Sequence, residues 1–300
     1  MATSSWGTSA DFDAVLIFSQ FEKVYRAVSA TAFIGGGKMA QAIISGLVKS
    51  GRDTSSLFVA DVAENVLQSC GTMLPKENLF SSSKEMLCDF DEGTVVLAIK
   101  PQNLADIQDE LQLLDSDKHA LISILAGIKT QKLEAMVREG VSVIRVMPNT
   151  PALVGKGISV LSAGGNANAS HLAEAKSILE SVGSVIELGE DHMDAVTAVS
   201  GSGPAYFFSL IKHLVDAGCD QGLPPDVSMT LALSTAAGAS ELACQAVRED
   251  GQTLSELINA VSSKGGTTEA ALKVFVSGEF DKLVLNAIGA AAKRSKELGE

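Results

Sequence analysis

Short, mainly apolar runs recur between about residues 30 and 190, separated by segments with helical periodicity. The clearest runs cover residues 94–99, 120–125 and 141–146, whose polar residues are Thr94, Ser123, Ser142 and Arg145. A strand with apolar residues on both faces, rather than on alternate positions, is typical of a parallel sheet covered by helices on both sides. The intervening periodicity predicts helices over residues 38–49 and 104–114. The pattern therefore predicts an α/β domain with a doubly wound, mainly parallel sheet.

The pattern changes near residue 190, where strand signals disappear and Ala, Leu and Ser dominate. Helix starts continue, among them the capping-box spacing of Thr253 and Glu256. A chain of 300 residues is long enough to contain two cores. We therefore predict an N-terminal extension over residues 1–29, the α/β domain over residues 30–190 and an all-α domain over residues 191–300.

Charge and composition exclude several classes of protein. The chain has 23 Lys and Arg against 36 Asp and Glu, a net charge of −13, which disfavours nucleic acids and anionic membranes as partners. No apolar run approaches the roughly 18 residues that span a bilayer. The four cysteines are scattered and the histidines lack metal-site spacing, so we expect reduced thiols and no metal. Residues 1–29 fit neither a signal nor a transit peptide. These features predict a cytoplasmic protein.

A glycine-rich turn, Gly35-Gly36-Gly37-Lys38-Met39-Ala40, follows the first predicted strand and opens the first long helix. It matches the G-x-G-x-x-A pattern of dinucleotide-binding turns. Gly35 permits the tight turn, Gly37 lets a pyrophosphate approach the backbone, and Ala40 lets the helix pack on the sheet. The first N–H groups of the helix then face the phosphates. In this strand–turn–helix context, the pattern predicts a Rossmann-like domain that binds NADP or NAD.

An acidic residue, Asp61, ends the second predicted strand a little over 20 residues beyond the turn. An acid at this place usually holds the ribose hydroxyls, so it favours NAD and repels a 2′-phosphate. Two other interpretations stay open at this stage. Asp61 is also explained as a solvated strand end, or as the cap of a helix that runs through Glu64.

Further strand ends carry small or kinked residues. Ligands of doubly wound sheets bind beyond the carboxyl ends of the strands. The candidates for the nicotinamide side are Ala98-Ile99-Lys100-Pro101, Leu125-Ala126-Gly127 and Met147-Pro148-Asn149-Thr150-Pro151. Taken singly, each segment is also explained as an ordinary loop in which Gly or Pro ends a strand.

The predicted helical domain contains two unusual segments. Residues 200–204 place two glycines and a proline in an apolar region, which costs helix stability unless close packing or a ligand justifies it. Residues 261–268 form a loop rich in hydroxyls and glycine. The N–H groups near Thr267 and Thr268 predict an anion cradle on which a carboxylate can dock. An ordinary helix–helix connection with an N-cap is the alternative.

Several motifs together resemble the pyrroline-5-carboxylate reductase family over about residues 31–298. They are FIGGGKMA (33–40), AIKP (98–101), RVMPNTP (145–151), DAVTAVSGSGPAY (194–206) and SKGGTT (263–268). The resemblance implies reduction of 1-pyrroline-5-carboxylate to L-proline with NADPH or NADH, the last step of proline synthesis. It also implies a Rossmann domain followed by a helical domain that interlocks with a partner chain. Such dimers often assemble into decamers.

The resemblance also implies roles for particular residues. Thr268 and Ser263 are the candidate catalytic residues, with Thr268 placed to hydrogen-bond the ring nitrogen and relay a proton. The implied substrate-binding residues are Glu190, Ser263, Gly265, Gly266, Thr267 and Thr268. With the strand ends above, the predicted cofactor-binding residues are Gly35, Gly36, Gly37, Lys38, Met39, Asp61, Ser83, Ala98, Ile99, Lys100, Pro101, Ala126, Gly127 and Asn149.

The chain departs from the family pattern at two positions, and two other functions remain open. Lys264 stands where the substrate loop commonly has proline, and Ala260 stands where an acid or amide is frequent. A 3-hydroxyacid dehydrogenase shares the glycine turn and uses a catalytic lysine on a long helix, where this chain offers Lys212. A non-catalytic NAD(P)-binding protein is the other alternative.

Overall fold

A computed structural model describes residues 29–299, so the predicted extension lies outside the described residues except for Ser29. Its central element is one sheet of eight strands in the order β3-β2-β1-β4-β5-β6-β7-β8. The strands are β1 (Ala30–Ile34), β2 (Leu57–Ala60), β3 (Leu79–Phe80), β4 (Gly93–Leu97), β5 (His119–Ser123), β6 (Ser142–Met147), β7 (Gly157–Ala163) and β8 (Gly183–Glu187).

The sheet is mainly parallel, which confirms the predicted fold class. Strands β1 to β6 all run parallel to one another, whereas β7 runs antiparallel to β6 and β8 runs parallel to β7. The chain winds outward from β1 to β3 and then returns to place β4 beside β1. Because the strand order reverses there, the carboxyl ends of β1 and β4 border the crevice in which such sheets bind ligands.

Two apolar layers cover the faces of the sheet. The helices of this part are α1 (Lys38–Lys49), α2 (Glu64–Cys70), α3 (Ser83–Asp89), α4 (Gln108–Leu111), α5 (Thr130–Glu134) and α6 (Ala169–Glu180). Helices α1 and α6 pack on the face that carries Phe33, while α3 and α5 pack on the face that carries Ile34. Successive strand residues thus point into opposite layers, which explains why the strands carry apolar residues on both faces.

The prediction of an α-helix over residues 104–114 is wrong. A 3₁₀ helix covers Pro101–Ile107 and only Gln108–Leu111 is α-helical. Pro101 lies at the first position of the 3₁₀ helix, where its missing N–H costs nothing. The tighter winding places residues three apart on one side, so Leu104 is buried and Ile107 packs against the same core.

Beyond Glu187 the described chain forms helices and loops but no strand. The α-helices are α7 (Met193–Val196), α8 (Gly203–Asp220), α9 (Pro225–Arg248), α10 (Leu254–Ala260), α11 (Thr267–Ser277) and α12 (Phe280–Gly299). Thr253 and Glu256 form the predicted capping box at the start of α10. Within residues 29–299, no helix combines the length and the apolarity needed to cross a bilayer.

Packing explains Gly201, one of the two glycines in the unusual segment around residue 200. A π-helical turn over Thr197–Gly201 joins α7 to α8. A side chain at Gly201 would collide with the terminal methyl group of Met147, at the end of β6. The glycine therefore allows the helical half to lie close against the sheet.

Candidate active site

A cleft of about 540 Å³ opens at the carboxyl ends of β1, β2 and β4. Every residue that lines it lies between positions 34 and 107. The predicted cofactor residues that the fold brings together there are Gly35, Gly37, Asp61, Ser83, Ala98, Ile99 and Lys100. The cleft therefore lies at the switch point of the sheet, where the topology predicts a ligand.

The backbone of Gly35 joins the strands on both sides of the cleft. Its φ is +98°, and an added Cβ would lie 2.7 Å from the carbonyl oxygen of Ala98, so only glycine fits here. Its N–H donates to the carbonyl oxygen of Ala60 at 2.8 Å. Gly37 follows as the N-cap of α1 and has open space where a side chain would stand. Because no side chain caps α1, the first N–H groups of the helix can receive an anionic group.

Asp61 uses both carboxylate oxygens to hold the backbone around the cleft. One oxygen accepts the N–H of Gly36 at 2.8 Å, and the other accepts the N–H of Ala63 at 2.9 Å. Of the interpretations left open by the sequence, the solvated strand end does not fit these contacts. Beneath the turn, Cys70 is buried and its thiol has a raised pKa, chiefly because of burial and secondly because of the charge of Asp61.

Other predicted cofactor residues lie outside the lining of this cleft: Gly36, Lys38, Met39, Pro101, Ala126, Gly127 and Asn149. Gly127 follows β5 with φ +78° and packs against Leu298 near the end of α12. Asn149 acts as a structural bridge. Its Nδ2 donates to the carbonyl oxygen of Ser200 at 3.2 Å, and its Oδ1 accepts the N–H of Ile158 at 2.9 Å.

Sequence reasoning missed part of the lining: Val62, Ala63, Val66, Ser81, Asn103, Asp106 and Ile107. Ser81 follows β3, a strand of only two residues that has no apolar run to mark it. Asn103, Asp106 and Ile107 lie on the 3₁₀ helix that was predicted as loop and regular helix. Val62 follows Asp61 at the end of β2, so the rule that ligands bind beyond strand ends is a signal that predicts its contact with the cleft.

The predicted substrate loop turns sharply into α11. Gly265 has φ +75°, and Gly266 is the extended N-cap residue, which supplies no side-chain cap. An added Cβ at Gly266 would lie 2.6 Å from Oγ of Ser263. The first N–H groups of α11, at Thr267 and Thr268, have no partner within the helix. The loop therefore offers hydroxyls and free amides to an anion, but it does not line the cleft of the same chain.

Glu190, another predicted substrate residue, forms an ion pair with Arg145 on β6. Arg145 is only 2% exposed, whereas the Glu190 side chain is 28% exposed. Oε2 of Glu190 and Nη2 of Arg145 are buried without a hydrogen-bond partner among residues 29–299. The pair ties the sheet to the start of the helical half.

The helical half exposes a large amount of apolar surface. Twelve of its large apolar side chains are more than half exposed: Val199, Phe207, Phe208, Leu231, Leu242, Leu254, Val261, Val274, Val276, Leu283, Leu285 and Leu298. Exposed apolar surface on this scale is typical of an interaction surface. The fold and the cleft together place the chain among the Rossmann-type, dinucleotide-binding oxidoreductases, with a helical half suited to self-association.

Comparison with known proteins narrows this class to one family. A family model described as pyrroline-5-carboxylate reductase dimerisation matches residues 190–298, and one described as NADP oxidoreductase, coenzyme F420-dependent, matches residues 30–127. The pyrroline-5-carboxylate reductase of Pseudomonas aeruginosa is 39% identical over 90% of this chain and 96% of its own. That of Arabidopsis thaliana is 38% identical over 89% of this chain and 95% of its own. The chain belongs to the pyrroline-5-carboxylate reductase family.

A solved structure agrees with this assignment. The crystal structure of Plasmodium falciparum pyrroline carboxylate reductase with NADP bound has a TM-score of 0.79 and 32% identity. The similarity covers 91% of this chain and 98% of that chain. It therefore extends through both the sheet and the helical half.

Proposed function

We infer that this chain reduces 1-pyrroline-5-carboxylate to L-proline with a hydride from NADPH or NADH, the last step of proline biosynthesis. One observation carries this inference. The chain is similar to pyrroline-5-carboxylate reductases over nine-tenths of its length, and its glycine turn lies on a cleft at the switch point of the sheet.

The cofactor residues fall into groups along the strand ends. The N–H groups of Lys38 and Met39, at the start of α1, receive the pyrophosphate after Gly37. The Asp61 loop and Ser83 border the adenosine end. Ala98 to Pro101, and then Ala126 and Gly127 beyond the next strand end, continue the site towards the nicotinamide, with Asn149 supporting it. When bound, the nicotinamide supplies the hydride, so these residues bind and orient.

The substrate residues lie in the helical half. The free N–H groups of Thr267 and Thr268, together with the hydroxyl of Ser263, bind the substrate carboxylate. The hydroxyl of Thr268 hydrogen-bonds the ring nitrogen and relays a proton. Glu190 borders the same pocket. A protonated imine is already electrophilic, so holding its carbon near the hydride donor and excluding water account for most of the catalysis.

A second subunit completes each site in this proposal. The cleft is lined from residues 34–107, whereas the substrate loop belongs to the half that matches the dimerisation model. The loop of one protomer therefore closes the cleft of its partner, and the exposed apolar face of the helical half forms the contact between them. We propose decamers built from these dimers, acting in the cytoplasm.

The structure offers little support for the 3-hydroxyacid dehydrogenase alternative. Nζ of Lys212 lies 2.6 Å from a carboxylate oxygen of Asp216, and both side chains are more than half exposed. A catalytic lysine of such an enzyme would have to face the cofactor cleft. Lys212 instead forms an i,i+4 pair on the surface of α8.

One assay separates the candidate functions. The purified protein is mixed with NADH or NADPH and then with 1-pyrroline-5-carboxylate. In parallel, it is mixed with the oxidised cofactor and a series of 3-hydroxy acids. We expect oxidation of the cofactor with the cyclic imine only, and formation of one proline for each hydride consumed. Turnover of a 3-hydroxy acid alone would favour the dehydrogenase, and cofactor binding without any turnover would favour a non-catalytic protein.

A further inference from the structure

The turn into α11 contains a contact that the proposed function leaves without a role. Oε2 of Glu269 accepts the N–H of Gly265 at 2.8 Å. Glu269 is the third residue of α11, so its side chain reaches back over the start of the helix. The other carboxylate oxygen lies 3.3 Å from Nζ of Lys273, one turn further along.

This contact divides the amides of the loop into two groups. The N–H of Gly265 is bound by Glu269, and the N–H of Gly266 donates to the carbonyl oxygen of Ser263 at 2.9 Å. Both amides are therefore engaged inside the loop. The N–H groups of Thr267 and Thr268 remain available for a carboxylate, which narrows the docking position to the first turn of α11.

The loop contains two adjacent glycines, Gly265 and Gly266, which make its backbone conformation easy to lose. Gly265 has φ +75°, and glycine loses more conformational entropy on being fixed than any other residue. The bond from Gly265 to Glu269 restricts the first of these glycines before substrate arrives. A loop that is already ordered binds its ligand at a lower entropic cost.

We propose that Glu269 is a positioning residue for the substrate carboxylate. It fixes the turn through the N–H of Gly265, while Lys273 offsets its negative charge so that the charge does not repel the substrate. The proposal rests on the proposed function of residues 263–268 as the substrate loop. Glu269 itself does not touch the substrate.

Two substitutions test the role. Glu269→Gln keeps an oxygen that can accept the Gly265 N–H, so we expect the KM for 1-pyrroline-5-carboxylate to stay within about 2-fold of the wild-type value. Glu269→Ala removes the acceptor, so we expect this KM to rise by about 3- to 10-fold, the scale of one net hydrogen bond. The kcat and the KM for the cofactor should change by less than about 2-fold in both variants.

Matched controls separate this role from a general effect on folding. Glu180→Ala removes the acid of an exposed i,i+4 pair with Lys176 on α6, and should leave every kinetic constant unchanged. Thermal unfolding and elution volume show whether Glu269→Ala keeps its fold and assembly. Where it does not, Glu269→Asp replaces it, because the shorter carboxylate does not reach Gly265.

The outcomes distinguish this proposal from the proposed function. Wild-type protein that does not turn over the cyclic imine would refute the function, and the role of Glu269 with it. Where the wild type is active, an unchanged KM in Glu269→Ala overturns the positioning role. A lower KM overturns it too, because it would mean that the Glu269 carboxylate competes with the substrate for the loop. If the KM of Glu269→Gln rose as much as that of Glu269→Ala, the hydrogen bond to Gly265 would be rejected as the cause of the effect.

Discussion

The carboxylate of Asp61 accepts the N–H of Gly36 at 2.8 Å and thereby ties the end of β2 to the glycine turn. Its other oxygen accepts the N–H of Ala63. The negative charge is therefore fixed at the edge of the cleft, beside the proposed adenosine end. The chain has no Lys or Arg between positions 53 and 75, so the loop after β2 supplies no cation for a 2′-phosphate.

This arrangement predicts a preference for NADH. We expect kcat/KM to be at least about 10-fold higher for NADH than for NADPH, because a 2′-phosphate would face a fixed like charge without a counterion. Steady-state kinetics with both cofactors measures the ratio. A large preference for NADPH would show that Asp61 lies away from the ribose.

A single substitution should shift the preference. Val62 lines the cleft and is 95% exposed, so replacing it removes almost no packing. Val62→Arg should raise kcat/KM for NADPH several-fold, because the guanidinium can pair with the phosphate. Val62→Gln is the matched control, since it adds length without charge and should leave the ratio near that of the wild type.

The Thr268 hydroxyl should matter for the chemical step. Thr268→Ala should lower kcat/KM by roughly 10- to 1000-fold, the scale of one positioned polar contact. Thr268→Ser should retain most of the activity because it keeps the hydroxyl. Thr72→Ala, which removes an exposed hydroxyl in the turn after α2, should leave kcat/KM unchanged. Near wild-type kinetics of Thr268→Ala would remove this hydroxyl from the mechanism.

Subunit mixing tests whether the site is shared between protomers. Gly37→Val projects a side chain into the open space of the cleft and should abolish cofactor binding, whereas Thr268→Ala impairs the loop. When the two variants are mixed and reassembled, half of the dimers are mixed and each contains one intact site. About a quarter of the wild-type activity should therefore return. No recovery, with mixed dimers demonstrated by tagged subunits, would place the loop over the cleft of its own chain.

The sequence was most informative where one local signal dominates. Helix α1 covers Lys38–Lys49 as predicted, because a glycine turn marks its start and a regular apolar stripe runs along its length. The 3₁₀ helix after Lys100 was missed because its apolar spacing also suits an α-helix, and only the position of Pro101 distinguishes them. The two-residue strand β3 is set by pairing with β2, which no local pattern reveals.

The candidate site was predictable in its parts but not in its contacts. The glycine turn and the hydroxyl-rich loop are continuous in sequence, so their composition marks them. By contrast, the bond between Asp61 and Gly36 joins residues 25 positions apart, and Asn149 bridges to Ser200 across 51 positions. Such contacts depend on the packing of the sheet against the helices, so local periodicity does not reveal that Asn149 serves as a bridge.

The ion pair between Arg145 and Glu190 predicts an asymmetric effect on stability. Glu190→Ala leaves the guanidinium of Arg145, which is 2% exposed, without its counterion, and should lower the free energy of unfolding by about 3 kcal/mol. Arg145→Met leaves Glu190, whose Oε2 is also buried, but this side chain is 28% exposed and can turn its carboxylate towards water, so the change should cost only about 1–2 kcal/mol. The double variant should be more stable than Glu190→Ala alone.

Urea unfolding at one protein concentration measures all three variants, because assembly makes stability depend on concentration. Equal losses for the two single variants would show that the buried guanidinium finds another partner.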